Sequence, residues 1–181
     1  KTNTSGPNAD GTTIYIGGVY EQRTPAAGSP VIDVFKVPGV AQVETNETTA
    51  VTTTLYTLTD PLGSTGAVVT GALVNGVLKD TVVNNFFYEP FGARINKDGT
   101  PFTSAVGDVH DGFTGQEHDD AFGLINFNGR LYDPNLKRFM SVDPHVTHPR
   151  FGQNWNPYSY VLNSPVNLTD RTGRDDDGLA P

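Results

Sequence analysis

GRLYDPNLKRFMSVD, residues 129–143, places two arginines and two aspartates around a Pro-Asn turn, between runs rich in aromatic and aliphatic side chains. Leu131 to Asp133 and Lys137 to Asp143 read as two strands of a hairpin reversed at Asp133-Pro134-Asn135, where proline fixes φ and Asp and Asn bond their own backbone. Upstream, LINFNGRLYD continues the same period-2 alternation, with Leu124, Asn126 and Asn128 opposite Ile125, Phe127 and Gly129. Downstream, Asn156-Pro157-Tyr158 predicts the start of a short helix with proline in its first turn, ended by Ser164-Pro165.

The rest of the chain follows this strand-and-turn grammar. TTIYIGGVYEQ begins a β pattern in which Gly17-Gly18 reads as a bulge or kink, and 25–30 (PAAGSP) reads as a turn. VIDVFKV (31–37) closes at Pro38-Gly39. TTAVTTTLYTLT (48–59) has high β propensity and reverses at Asp60-Pro61-Leu62-Gly63. GAVVTGALV returns, Asn75-Gly76 suits a two-residue hairpin, VLKDTVVNNFFYEPFG supplies the next strand or pair, and Lys97-Asp98-Gly99 makes another turn. No segment of ten residues carries a helical stripe, so the expected fold is all-β, a meander of antiparallel hairpins with at most one short helix.

Composition agrees. The 181 residues are enough for one substantial core, and 20 Gly and 13 Pro suit short strands and tight turns better than a helix bundle. A net charge of -8, with 12 Lys plus Arg, argues against nucleic-acid or anionic-membrane partners. Cysteine is absent, which removes disulfides, thiolate metal sites and cysteine nucleophiles. No apolar run is long enough for a membrane span. A first residue other than Met fits a segment of a longer chain.

Taken together, FTGQEHDDAFGLINFNGRLYDPNLKRFMSVDP and NPYSYVLNSPVNLTDRTG resemble the core domain that ends the shell of Rhs (rearrangement hotspot) and YD-repeat proteins. YIGGVYEQ, LYTLTDPLGSTGAVVT and FFYEPFGARI are similar to the family's final repeats, so the resemblance covers about residues 12–173. It implies a spiral sheet of hairpins that encloses a variable C-terminal polypeptide, commonly a toxin in bacterial members. The implied organisation is a flexible lead-in over 1–11, terminal repeat hairpins over 12–112, the core domain over 113–173, and an acidic linker over 174–181 toward a missing C-terminal domain. The expected partners are that cargo domain, the upstream repeats of the same chain, and components of secretion systems or toxin complexes. The expected location is secreted or at a bacterial cell surface.

In many relatives the core domain is also an aspartic-type self-cleaving protease, in which two carboxylates share a proton and activate water. The family pattern is an Arg followed directly by an Asp, then a second Asp in an Asp-Pro pair. Arg130 and Asp143 match. Leu131 stands where the first Asp belongs, and Asp133, on the same strand face but displaced by about 6 to 7 Å, is the substitute candidate. Relatives carry Asp-Pro-x-Gly before the cleavage point. Here Asp170-Arg171-Thr172-Gly173 stands there, which makes Gly173 one cleavage candidate, and Leu179 of Asp176-Asp177-Gly178-Leu179 the other.

The competing structural reading makes Arg130, Asp133, Arg138 and Asp143 a salt-bridged hairpin that pins the cap, with Pro134 setting its turn and Asp170 capping another. No cofactor or metal is expected: His145 with His148, and His118 before Asp119-Asp120, read as solvent-exposed loop histidines. Trp155, Tyr158 and Tyr160 read as packing residues, with stacking on sugars the alternative that would suit an adhesion or glycan-binding module.

Overall fold

The computed structural model describes residues 2–3, 11–24, 29–74, 77–102, 109–120, 122–145, 150 and 152–174, with the backbone alone for 2–3 and 72–80. The described residues are all-β. Eight strands form one antiparallel sheet in strict chain order: β1 (Thr2–Asn3), β2 (Gly11–Ile16), β3 (Tyr20–Thr24), β4 (Ile32–Val37), β5 (Ala41–Asn46), β6 (Thr52–Thr59), β7 (Thr65–Val74) and β8 (Val77–Asn85). Every strand pairs with its sequence neighbours, the meander expected from closely spaced turn signals.

Several local readings change. Gly17 and Gly18 are no bulge: both take positive φ (61° and 70°) and reverse the chain between β2 and β3. The 48–59 strand starts only at Thr52, because the Asn46 side chain accepts the Thr48 and Thr49 N–H groups and holds a turn there. β5 carries no turn signal of its own and was not marked by the sequence. Thr2 and Asn3, within the lead-in, pair with Thr12 and Gly11. The Asn75-Gly76 turn lies outside the described residues.

This sheet separates its polar and apolar side chains in an unusual direction. Along β3, β4 and β5 one face carries Glu21, Arg23, Lys36, Gln42 and Glu44 around Val34, and Leu55 of β6 joins it. Glu21 and Arg23 are buried and Lys36 and Glu44 half-buried: Arg23 Nη2 meets Glu21 Oε2 at 2.9 Å and Nη1 meets Glu44 at 3.6 Å, while Lys36 pairs with the second Glu21 oxygen. Burial alone would push the Glu21 carboxyl up, but the Lys36 hydrogen bond and charge, followed by Arg23, outweigh it and hold the group below the usual range. The opposite face presents Ile14, Ile16, Phe35, Val37, Tyr56 and Leu58, all at least 45% exposed.

The chain divides into two compact units, residues 1–58 with 67–85, and residues 59–66 with 86–181. Residues 59–66 and 86–102 belong to the second unit. That unit holds a two-stranded ribbon, β9 (Phe87–Tyr88) with β10 (Arg94–Ile95), and a four-stranded antiparallel sheet, β11 (Glu117–Asp119), β12 (Leu124–Asn126), β13 (Leu131–Asp133) and β14 (Arg138–Phe139). LINFNGRLYD is therefore two strands. Asn128 adopts φ 64°, and its N–H bonds the Asn126 side chain, so the chain reverses where alternation alone predicted continuity.

Phe113, Ile125, Phe127, Tyr132, Phe139, Tyr160 and Val161 make the core of this unit. Phe127 meets Tyr132, Phe139 and Tyr160 edge-on at centroid distances of 5.4, 5.5 and 5.4 Å. Edge contacts put the positive rim of one ring on the negative face of the next, a gain beyond burial alone. Tyr132 also donates its hydroxyl to the Phe91 carbonyl at 3.0 Å, so the core is tied to the turn after β9.

Candidate functional site

Arg130 leads into β13 and points its guanidinium toward the chain beyond Pro157. Its side chain is 5% exposed. Nη2 meets Asp143 Oδ2 at 2.8 Å and Asp170 Oδ2 at 3.5 Å. Nη1 donates to the Pro157 carbonyl at 3.2 Å, and Nε donates to the Gly173 carbonyl. The planar group also lies over the Phe139 ring, 3.6 Å from its centroid. Burial pulls Arg130 down from its ordinary value and the charges of Asp143 and Asp170 pull it back up, so it stays a cation. One side chain thus holds three other chain segments, a task that suits a rigid fork of donors.

Each carboxylate is held in turn by backbone. Asp170 Oδ1 accepts the N–H groups of Thr172, Gly173 and Arg174 at 3.1, 2.7 and 3.1 Å, so the residue folds its own segment around itself. Asp143 Oδ1 accepts the His145 N–H at 2.9 Å, and the Asp143 N–H donates to Pro157. Arg130, Asp143, His145, Asn154, Asn156 and Ser159 contribute to the walls of a shallow, solvent-open cleft.

The structure sorts the expected site residues. Arg130, Asp143 and Asp170 converge. Asp133 does not join them: its Oδ1 accepts the Asn135 and Leu136 N–H groups at 2.9 Å, which commits it to its own turn, with Pro134 buried beneath. Arg138 is exposed and forms no ion pair among the described residues, so the four-residue network read from the hairpin is replaced by Arg130 with Asp143 and Asp170. Leu131 is 47% exposed. Gly173 is in the site, gripped through its carbonyl, while Leu179 and His148 lie outside the described residues. A proton-sharing pair needs two carboxylates turned on each other, and here both are turned on a cation.

Two further readings are corrected. The helix expected from Asn156 to Ser164 does not form. Asn156 bonds the Tyr158 N–H with its side chain, Ser159 bridges to Arg138, and Val161, Leu162 and Asn163 take positive φ of 39°, 55° and 60°. Such a left-handed run costs roughly 1 kcal/mol or more at each non-glycine residue, here offset by burial of Tyr160 and Val161. His118 is no exposed loop histidine. It sits in β11, buried, and its Nε2 accepts the Phe113 N–H at 3.0 Å. His145 is exposed, Trp155 and Tyr158 stand at the surface, and Tyr160 is fully buried, which removes it from any stacking surface. Among the described residues no three His, Cys, Asp or Glu side chains cluster as a metal site, and no helix is long and apolar enough to cross a membrane.

Sequence reading missed the pairing of Asp170 with Arg130. Asp170 announces itself as a turn former, but a partner forty positions away leaves no local spacing signal. Gly173 shows what the close approach requires: at φ 72° an added Cβ would lie 2.6 Å from the Phe127 carbonyl oxygen and 3.0 Å from the Arg130 nitrogen. Gly173→Ala is expected to lower stability by roughly 2–4 kcal/mol, from the left-handed backbone plus overpacking. Its urea midpoint should fall well below that of an exposed control such as Gly152→Ala, where a Cβ meets nothing within 4 Å.

Over 61 residues, 34% of the chain, the sequence is 41% identical to the toxin protein Tse5 of Pseudomonas aeruginosa. Part of this chain is similar to a toxin protein. Over 93 residues, 51% of the chain, it is 37% identical to salivary gland surface protein 1 of Aedes aegypti. The matches span only 4% and 2% of those two proteins. No protein-family model matches the chain.

Proposed function

We propose that this chain is a segment of an Rhs/YD-repeat protein, in which the eight-stranded meander is wall and the second unit is the cap of a β-shell around a C-terminal polypeptide. The observation that carries the reading is the Arg130 lock. A buried cation clamps Gly173 and Asp170 against the core hairpin and Pro157. Such a lock suits a fixed point from which following chain is led away under control. The partial similarity to Tse5 and the sequential antiparallel strands support the same reading. On it, the protein is exported as part of a larger bacterial polypeptide, and its partners are that polypeptide's own cargo and upstream repeats.

Limited trypsin digestion of the full-length gene product tests this. The tract following Pro181 is expected to survive digestion in the wild type and to be degraded in Arg130→Met. Equal degradation in both would overturn containment.

A second reading, self-cleavage, is favoured by one observation, the convergence of Asp143 and Asp170 on an open cleft beside Gly173. On that reading Asp143→Asn abolishes a cleavage product that a gel shows in the wild type. A single uncleaved band in both proteins removes it.

A further inference from the structure

The second unit holds a buried titratable side chain that the Arg130 site does not use. His118 lies buried on β11, 6% exposed, and Nε2 accepts the Phe113 N–H at 3.0 Å, so the ring carries its proton on Nδ1. That acceptor fixes a tight loop. Asp111 bridges Glu117, the Gly112 and His118 N–H groups bond the Gln116 and His110 carbonyls, and within the loop Thr114 takes φ 49°. The ring is closely packed on two sides. A Cβ on Gly112 would lie 2.4 Å from its Cδ2 carbon, and Tyr88 packs on it at a centroid distance of 6.0 Å.

The loop is a strut between two places. Its base bonds residues 64–65, through Thr65 N–H to the Gly112 carbonyl at 3.0 Å and Thr114 N–H to Ser64 Oγ at 3.1 Å. At its far side the buried Gln116 donates Nε2 to the Arg171 carbonyl at 3.1 Å, with the Asp170 carbonyl at 3.5 Å. The 170–174 segment is therefore held from two directions, by Arg130 and by Gln116, and the second hold depends on the shape of the loop.

We propose that His118 is an acid-sensitive pin: a proton on Nε2 removes the acceptor for Phe113, opens the 109–119 loop and withdraws Gln116 from the 170–174 segment. The groups around the ring oppose that proton while the loop is closed. Burial comes first, then Arg94 from β10 and His110 from the facing segment, and together they hold His118 well below its ordinary value. Arg94 is itself paired with Asp120 at 2.9 Å, which offsets part of its charge. Tyr88 is neutral, its hydroxyl pushed up to about 12 by burial and donated to the Thr65 carbonyl. Asp111, Glu117 and Asp119 flank the ring along the loop and its own strand, and each has bonding of its own.

The sign follows. An opened His118 takes up a proton near its ordinary value of about 6.5, whereas the closed one does not, so closure is fully favoured above that pH and is progressively lost below it. From pH 7.5 to pH 5.5 the open population should rise about tenfold.

Hydrogen exchange of the whole chain, corrected for intrinsic rates, reads this directly. In the wild type, protection of 109–119 and of 170–174 should fall together by about tenfold over that range. In His118→Asn both should become flat with pH. In Gln116→Ala the loop should still respond while 170–174 stops following it. Protection at 109–119 that is constant with pH in the wild type, or that falls equally in His118→Asn, overturns the proposal. Should the Asn variant not fold, ¹⁵N titration of wild-type His118 decides: an unprotonated Nε2 at pH 7.5 that gains its proton as loop protection falls supports the pin, and an Nε2 already protonated at pH 7.5 overturns it.

Discussion

Arg130→Met is expected to destabilise the second unit by about 3–5 kcal/mol, the range for removing one partner of a buried charge pair. The change leaves two carboxylates facing an apolar thioether, Asp170 3% and Asp143 16% exposed, and strips the Gly173 carbonyl of its Arg130 donor and the Pro157 carbonyl of one of its two. Most of the loss is uncompensated charge, so it should be partly recoverable. Adding Asp170→Asn to Arg130→Met should return roughly 1 kcal/mol or more, a coupling that two independent sites would not show. Arg130→Lys should fall near the methionine variant, since a single ammonium cannot reach two carboxylates and two carbonyls in one plane. Urea denaturation of the four proteins checks this; an Arg130→Met midpoint within error of wild type would mean that the lock contributes nothing.

Phe127→Ala is the second large effect, at about 3–5 kcal/mol for an aromatic removed from a core. Phe127 is fully buried at the centre of three edge contacts, so truncation opens a void that Tyr132, Phe139 and Tyr160 border together. Each of those contacts contributes about 0.5–1.5 kcal/mol beyond area, and Phe127→Leu should therefore still lose a substantial part. A thermal midpoint unchanged in Phe127→Ala would contradict the aromatic core described above.

The fold class was legible because strand period and turn chemistry are local properties. Pro38-Gly39, Asp60-Pro61 and Lys97-Asp98-Gly99 reverse the chain where their torsions require it. Elements were misread where one side chain competed for the backbone: Asn126 and Asn156 each bond an N–H two residues on, which cut a predicted strand in two and prevented a predicted helix. The site was half legible. Arg130 and Asp143 stand out on one hairpin, but Asp170, Gly173 and Pro157 reach them only through the folded core. Nor could His118 be distinguished from a surface histidine, since its burial depends on Tyr88, Arg94 and Gly112, which no spacing connects to it.

The division of charge between the faces of the eight-stranded sheet bears on how such a chain avoids misthreading. The neighbouring strands β3, β4 and β5 are alike in length, at 5, 6 and 6 residues, so length alone would tolerate a shifted partner. A slip of one residue in β4 would turn Lys36 away from Glu21 and Gln42 and carry Phe35 into a ring of carboxylates and guanidinium, an exchange in which each side loses. The buried ions thus act as a parity check on assembly, one that rejects every odd displacement and leaves even ones to the length of the turns.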